Sequence, residues 1–489
     1  MKNFLRLATI RARFEKSLSQ MFSNEVNAYS KTLPIVRELN LEYRRERNIV
    51  TDEPLAEEHH GAIRVASKQE FRQIVDLFNV IGMKPVGYYN LHEAAKLPIH
   101  STAFRDVSED GLKENRFRVF ASLLIKEAVP KELLPIVDSA IAKRDILSDG
   151  VKKMIDINKS QGGLTDKQAD IFVAEAIKTF RREEEAVVSK SDYEKLLKAN
   201  SVMADAVSFQ KPHLNHMTLK VHDIDILHKR LQENGMETIP AVQGPPKMDV
   251  PPFLRQVSIV AQEEKYKFPD GKGGYEEGLH RARFGEYETK DGIALTPKGR
   301  ALYDEALQAT MKEVSDKDAR YQEVLQRNFS KFPKTEEECQ KQELAYFKYF
   351  LNKDYKGEKP KDWNDAIAKG AVGYKGVLYQ DFLPVSAAGI FKSNAKEGGF
   401  IDSEEPKGSK ESFEKDIGTK VFDPYELYAK VEMESIRETT ENLGIEPPEQ
   451  FKNKIKNDGF AGRSGDFNPN AKWEQKYKTK DTSPTLFRT

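Results

Sequence analysis

The chain has 489 residues, 38% hydrophobic and 32% charged, with 78 Lys+Arg against 78 Asp+Glu and a single cysteine. Zero net charge argues against a whole-chain binder of nucleic acid or of a membrane surface, and no apolar run approaches the ~20 residues a membrane helix needs. The lone Cys339 excludes an intramolecular disulfide and a cysteine-rich metal cluster, and it fits a reducing compartment.

The first fourteen residues, MKNFLRLATIRARF, carry four basic residues and no acid. A transit peptide to the mitochondrion can have this composition. Phe14, Leu18, Met21 and Phe22 instead share one helical face, so the favoured reading is a long amphipathic helix, over 11–46, in a cytoplasmic protein. Residues 62–66 are β-compatible. SKQE at 67–70 is a capping box, with Ser67 as cap and Glu70 reaching back. A helix through Phe71, Ile74, Val75, Phe78 and Ile81 follows and stops at Gly82. KPVGYYN and residues 116–125 read as strands. Residues 126–212 have helical period and form a predicted helical insertion.

After Pro212 the first pattern returns. HLNHMTLKV is β-compatible, Asp223 can cap the helix IDILHKRLQEN, and Gly235 ends it. ETIPAV, LRQVSIVAQEE and ARFGEYE are candidate strands, and the glycines of GKGG and GGYEEG fall in a loop. HGAIRV at 60–65 and HMTLKV at 216–221 thus each open on histidine and lead through a helix to Gly-Met. This internal repeat predicts two βαβββ modules, about 60–125 and 213–290, closing a curved sheet around a cavity. Beyond them, 298–330 and 335–353 read as helices, GVLYQDFLPVSAAGIF at 376–391 is apolar with a Pro-Val-Ser break, and 455–489 is a polar tail. The expected organisation is one large unit over 1–454, with the C-terminal helices and the Pro-Val-Ser segment in 298–454.

Alternate residues of a strand share a face. His60, Ala62 and Arg64 therefore lie together, as do His216, Thr218 and Lys220, and as do Glu286 and Glu288. His59 would face the other way, toward the surface. If the modules place their first strands equivalently, His60, His216 and one of the two glutamates meet. Two histidines and a carboxylate are the ligand set of a non-haem iron(II) site with open positions. Arg64 lies about 13 Å along the strand from His60. It suits the second carboxylate of a metal-bound diacid, and its alternative is an ordinary strand salt bridge. No phosphate-binding P-loop, dinucleotide fingerprint or nucleophile elbow is present.

EHHGAIRV, GYYNLHEAAKLPIHSTAFR, HLNHMTLKVHDID, LRQVS, HRARFGEYE, ALTPKGRALYD and FLPVSAAGIF together resemble the 2-oxoadipate dioxygenase/decarboxylase family, from about residue 14 to about 445. The family has a vicinal-oxygen-chelate-like fold, related to hydroxymandelate synthase. The resemblance implies an α/β (α+β) protein with a twisted antiparallel sheet wrapped by helices. It implies Fe(2+) held by His60, His216 and Glu286, with Glu288 the alternative ligand. Arg64 would clamp the substrate carboxylate, and Val385 and Ser386 would line the substrate site. The partners implied are a small 2-oxo acid and dioxygen, with 2-oxoadipate giving 2-hydroxyglutarate and carbon dioxide in lysine breakdown. Two departures stand beside these motifs: Thr218-Leu219-Lys220 where the family has Thr-Pro-Arg, and a one-residue-longer Glu288–Gly292 segment where it has Glu-Gln-Arg-Gly. The alternatives are a metal-dependent lyase or isomerase on the same scaffold, a dioxygenase for another 2-oxo acid, and a binding protein that has lost its metal. The oligomeric state is left open.

Overall fold

A computed structural model describes residues 3–51, 53–290, 292–383, 408–449 and 451. The predicted roles of Val385 and Ser386, and the tail at 455–489, lie outside the described residues.

Strand β1 (Glu58–Val65) begins the first module. Ser67 caps the helix Lys68–Val80 in the expected capping box, its hydroxyl accepting from the Glu70 N–H while the Glu70 carboxylate accepts from the Ser67 N–H. Gly82 takes the positive φ of 74° that turns the chain out of this helix, a conformation costly for other residues. Strands β2 (Lys84–Asn90), β3 (Ile99–Arg105) and β4 (Arg118–Leu124) follow. The second module repeats the plan: β5 (His216–Val221), a helix Ile224–Glu233 capped by Asp223, Gly235 at φ 74°, β6 (Gln256–Ser258) and β9 (Phe284–Thr289).

The seven strands lie in the order β2-β3-β4-β1-β5-β9-β6. The modules join through antiparallel β1 and β5 at the centre, and each first strand runs parallel to the last strand of its own module, β1 to β4 and β5 to β9. The paired-module fold is the expected one. The sheet is mixed rather than wholly antiparallel, because a helix crossover returns each module's chain in the direction it started. The second module is also pared down. Its expected strand over ETIPAV is a single bridge from Thr238 to Ile259. Between β6 and β9 it carries a separate hairpin, β7 (Glu264–Pro269) and β8 (Tyr275–His280), whose turn holds the Gly-rich loop.

The sheet's two faces differ. Ile63, Val65, Met217, Leu219 and Tyr287 enter the main apolar core, together with the N-terminal helices Leu7–Glu25 and Asn27–Glu46. Phe14 is fully buried there, edge-on to Phe78 and Phe180, and such burial contributes roughly 2 kcal/mol. The alternate residues of the same strands carry the site. The insertion is helical, including Ser201–Ser208, which packs against β1. Two helix expectations change: the single helix over 11–46 is two, separated at Val26, and a second expectation fails. Over 335–353 only Glu336–Lys341 is helical, and Phe347–Leu351 pairs as a strand with Val372–Gly376. Phe347 and Tyr349 point inward while Lys348 and Phe350 point out, a two-residue period that the surrounding charge obscured. Among the described residues no helix is long and apolar enough to cross a membrane.

Candidate metal centre

The register explains why the histidine-led strand occurs twice. Across the central pair, His60 stands opposite Thr218, and His216 opposite Ala62. Each imidazole therefore faces the small residue two places beyond the other histidine. On the far side of β5, Thr218 stands opposite Glu286. His60, Thr218 and Glu286 form one row across three strands, with His216 one step along on the same face. A bulkier residue at 218 would fill the space into which the three longer side chains converge.

They do converge. His60, His216 and Glu286 each offer a ligand atom within 4.8 Å of the others, and all three residues are buried. His60 Nε2 lies 2.9 Å from Glu286 Oε1, and the two imidazole centroids are 5.3 Å apart. The Thr218 hydroxyl sits between, donating to Glu286 Oε1 at 3.1 Å and 2.9 Å from His60 Nε2. Among the described residues, neither ring nitrogen of His216 has a hydrogen-bond partner. A buried imidazole with both nitrogens unsatisfied is costly, and a metal ion would satisfy one of them. Burial, with the positive charge of Arg64 nearby, drops the His216 pKa to about 3, and burial with Arg118 and His216 holds His60 well below its usual value. Both rings are thus neutral, the form that ligates.

Burial pushes the Glu286 carboxyl the other way, up to about 8, against smaller lowering effects of Thr218 and Arg118. Without metal, Glu286 is protonated at neutral pH, and a divalent ion must displace that proton. Below pH 8 the apparent metal affinity is therefore expected to rise about tenfold per pH unit, then level off above it. Titration calorimetry in buffers of differing ionisation enthalpy should register about one proton released per metal at pH 7. No proton release would mean that Glu286 is not a ligand.

Glu288 has different partners. It accepts from Arg118 at 3.1 and 3.2 Å and touches His59, and its nearest approach to His60 is Oε2 to Nδ1 at 3.5 Å. His59 is buried, not at the surface as alternation predicts. The pairing of β1 with β5 slips between Glu58 and His60, and such a bulge re-aims the side chain beside it. Arg118, a fully buried cation, was not anticipated. It stands opposite His60 on β4, 2.8 Å from His59 Nε2 and beneath the Phe382 ring. Phe382 closes on His60, ring centroids 4.4 Å apart, and also lines a cavity of about 420 Å³ with Tyr89, Arg300, Tyr379 and Tyr428.

Arg64 is buried, with Nη1 2.5 Å from Asp205 Oδ2. Asp205 is also part of the second histidine–carboxylate group among the described residues, with His213 and His280. That group is a poor metal site. Its carboxylate already meets Arg64, accepts from Asn215 at 2.9 Å and lies 2.8 Å from His280 Nε2, so a dication there would sit beside a guanidinium. The departures Lys220 and Lys290 turn away from the three ligand atoms, to Glu57 at 2.8 Å and to Glu53.

The model of the 2-oxoadipate dioxygenase/decarboxylase family matches residues 14–394. The chain is 38% identical over 466 residues to the 2-oxoadipate dioxygenase/decarboxylase of Pseudomonas putida, covering 91% of this chain and 98% of the relative. It is 37% identical over 451 residues to that of Escherichia coli, covering 89% and 99%. The crystal structure of the hydroxyglutarate synthase from Pseudomonas putida in complex with 2-oxoadipate superposes with a TM-score of 0.79 at 36% identity, over 91% of this chain and 100% of that one. With nearly full-length matches at this identity and a shared fold, the chain belongs to the 2-oxoadipate dioxygenase/decarboxylase family.

Proposed function

We propose that the protein is an iron(II)-dependent dioxygenase that decarboxylates 2-oxoadipate and hydroxylates the shortened acid in place, giving 2-hydroxyglutarate and carbon dioxide. The observation that carries this is the buried His60–His216–Glu286 set, with neutral imidazoles and unsatisfied His216 nitrogens, in a chain of this family. The reaction balances: C1 leaves as carbon dioxide with its own oxygens, one oxygen atom of O2 completes the new carboxylate at the former 2-oxo carbon, and the other becomes the new hydroxyl. Three protein ligands leave positions open, and iron(II) held there supplies the electrons that activate dioxygen. His60 and His216 bind as neutral donors, and Glu286 contributes the anionic one once its proton is lost. Arg64 meets the distal carboxylate of the diacid. Phe382 and the buried surroundings keep bulk water from the reacting carbon.

The test is oxygen uptake by metal-free protein given iron(II) and 2-oxoadipate, with the product identified by chiral chromatography. Stoichiometric uptake with formation of 2-hydroxyglutarate is expected. Turnover without oxygen uptake would sink this reading in favour of a metal-dependent lyase or isomerase.

The choice between the two glutamates has its own test. Glu286→Gln is expected to lose iron binding, because Glu286 alone stands in the row with His60. Glu288→Gln is expected to retain iron while losing roughly 10- to 100-fold in affinity or rate, the usual effect of disturbing a partner of a ligand. A Glu288→Gln protein devoid of iron, beside a Glu286→Gln protein that keeps it, would reverse the assignment.

A further inference from the structure

Asp205 stands at a convergence of the three ligand-bearing strands. It comes from the helix Ser201–Ser208 of the insertion, where it is the only charged residue among Val202, Met203, Ala204, Ala206 and Val207. Arg64, four residues beyond His60 on β1, reaches its Oδ2 at 2.5 Å. Asn215, the residue before His216, donates to the same oxygen at 2.9 Å. His280, at the end of β8 and just ahead of β9 with its Glu286, lies 2.8 Å from Oδ1, and His213 Nε2 lies 3.0 Å from it. Tyr193 holds the other nitrogen of His280 at 2.9 Å. Every member of this group is buried. A buried carboxylate this fully engaged fixes the groups around it, because moving any one of them strands a charge or a donor away from water.

We propose that Asp205 is a positioning residue for substrate recognition, fixing the Arg64 guanidinium so that it meets the distal carboxylate of a diacid. The inference rests on the reading of Arg64 as that carboxylate's partner. The chemistry allows both roles at once, since a guanidinium carries five N–H donors in a rigid fork and can serve two carboxylates. Asp205 is held ionised: burial opposes its charge, but Arg64 and the His213 and His280 contacts hold the carboxyl well below its usual range. A neutral or absent side chain at 205 leaves Arg64 its charge but not its place.

The experiment compares wild type, Arg64→Ala, Asp205→Ala, Asp205→Asn and the double Arg64→Ala/Asp205→Ala variant. Each is loaded with iron(II) and assayed on 2-oxoadipate and on 2-oxohexanoate, which lacks the distal carboxylate, with iron content measured alongside. Asp205→Ala is expected to raise KM for 2-oxoadipate roughly 10- to 100-fold, with kcat, iron content and the 2-oxohexanoate constants little changed. Asp205→Asn keeps an oxygen toward Arg64 and should recover part of that loss. The double variant should be no worse on the diacid than Arg64→Ala alone, since Asp205 acts through Arg64. If Arg64→Ala is selective for the diacid but Asp205→Ala and Asp205→Asn harm both acids equally, or leave KM unchanged or lower, the positioning role is overturned and the Arg64 reading stands. If Arg64→Ala itself harms both acids equally, the Arg64 reading fails and this one with it. Should Asp205→Ala not fold, Asp205→Asn decides by the same comparison.

Discussion

Replacing either His60 or His216 with alanine is expected to strip iron from the protein and abolish turnover while leaving the fold in place. The two histidines occupy equivalent posts in the repeat, and neither contributes to the apolar core on the opposite face of the sheet. On the proposed ligand set each variant removes one of three donors, and losing the metal would forfeit several kcal/mol of transition-state stabilisation, hence a rate loss of roughly a thousandfold or more. For His216→Ala stability should move little, because among the described residues both buried nitrogens of His216 lack hydrogen-bond partners. Metal analysis after desalting, circular dichroism and thermal melting, each with and without iron(II), make the check. In wild type, iron should raise the melting temperature by mass action, and in either variant it should not. Full iron occupancy in one variant would remove that residue from the ligand set.

Much of this centre was legible from residue order, and the reasons are specific. Period-two alternation in HGAIRV, HMTLKV and FGEYE groups the residues that share a face within each strand, and the repeat brings the faces of His60, His216 and the glutamates together. The Ser67 capping box and the turns at Gly82 and Gly235 bound the two helices, so the repeat could be read as a module. Alternation alone could not separate Glu286 from Glu288. Their difference lies in cross-strand register, where Thr218 faces Glu286 and Lys220 faces Glu288. Nor could it place His59, because a bulge between Glu58 and His60 breaks the alternation there. Arg118 and Asp205 were missed for another reason. Both act over large sequence separations, Arg118 on Glu288 and Asp205 on Arg64. Asp205 did leave a trace, as a lone acid in the otherwise apolar helix SVMADAVS. Such a residue is either at the surface or paired, and only the fold says which. The strand at Phe347–Leu351 was hidden because a short strand flanked by helices and charges offers few turns of its period to count.

Arg64→Ala is the second large effect, and it tests the substrate rather than the metal. Arg64 is buried on the ligand face of β1, and its guanidinium is fixed by Asp205. If the substrate is a 2-oxo diacid whose oxo-acid end sits at the triad, its distal carboxylate can meet this cation. Losing one partner of such a desolvated pair costs on the order of 2 to 5 kcal/mol, a fall of roughly 30- to several-thousand-fold in kcat/KM for 2-oxoadipate. At pH 7 iron content should stay near wild type, because Arg64 is not itself a donor to the metal and both histidines are neutral there with or without it. The uncharged 2-oxohexanoate should suffer far less, as it never made the pair. A second effect acts in the same direction. Arg64 is the charge, after burial, that lowers the His216 pKa, and removing it relaxes His216 toward protonation. A loss that arose this way would strike both acids and weaken iron binding at low pH. The two origins therefore separate cleanly in the ratio of the two substrates measured at pH 7 and above, where the histidine is neutral either way. Equal losses on both acids would remove the clamp from Arg64, and a wild-type preference for the uncharged acid would remove the diacid from the site.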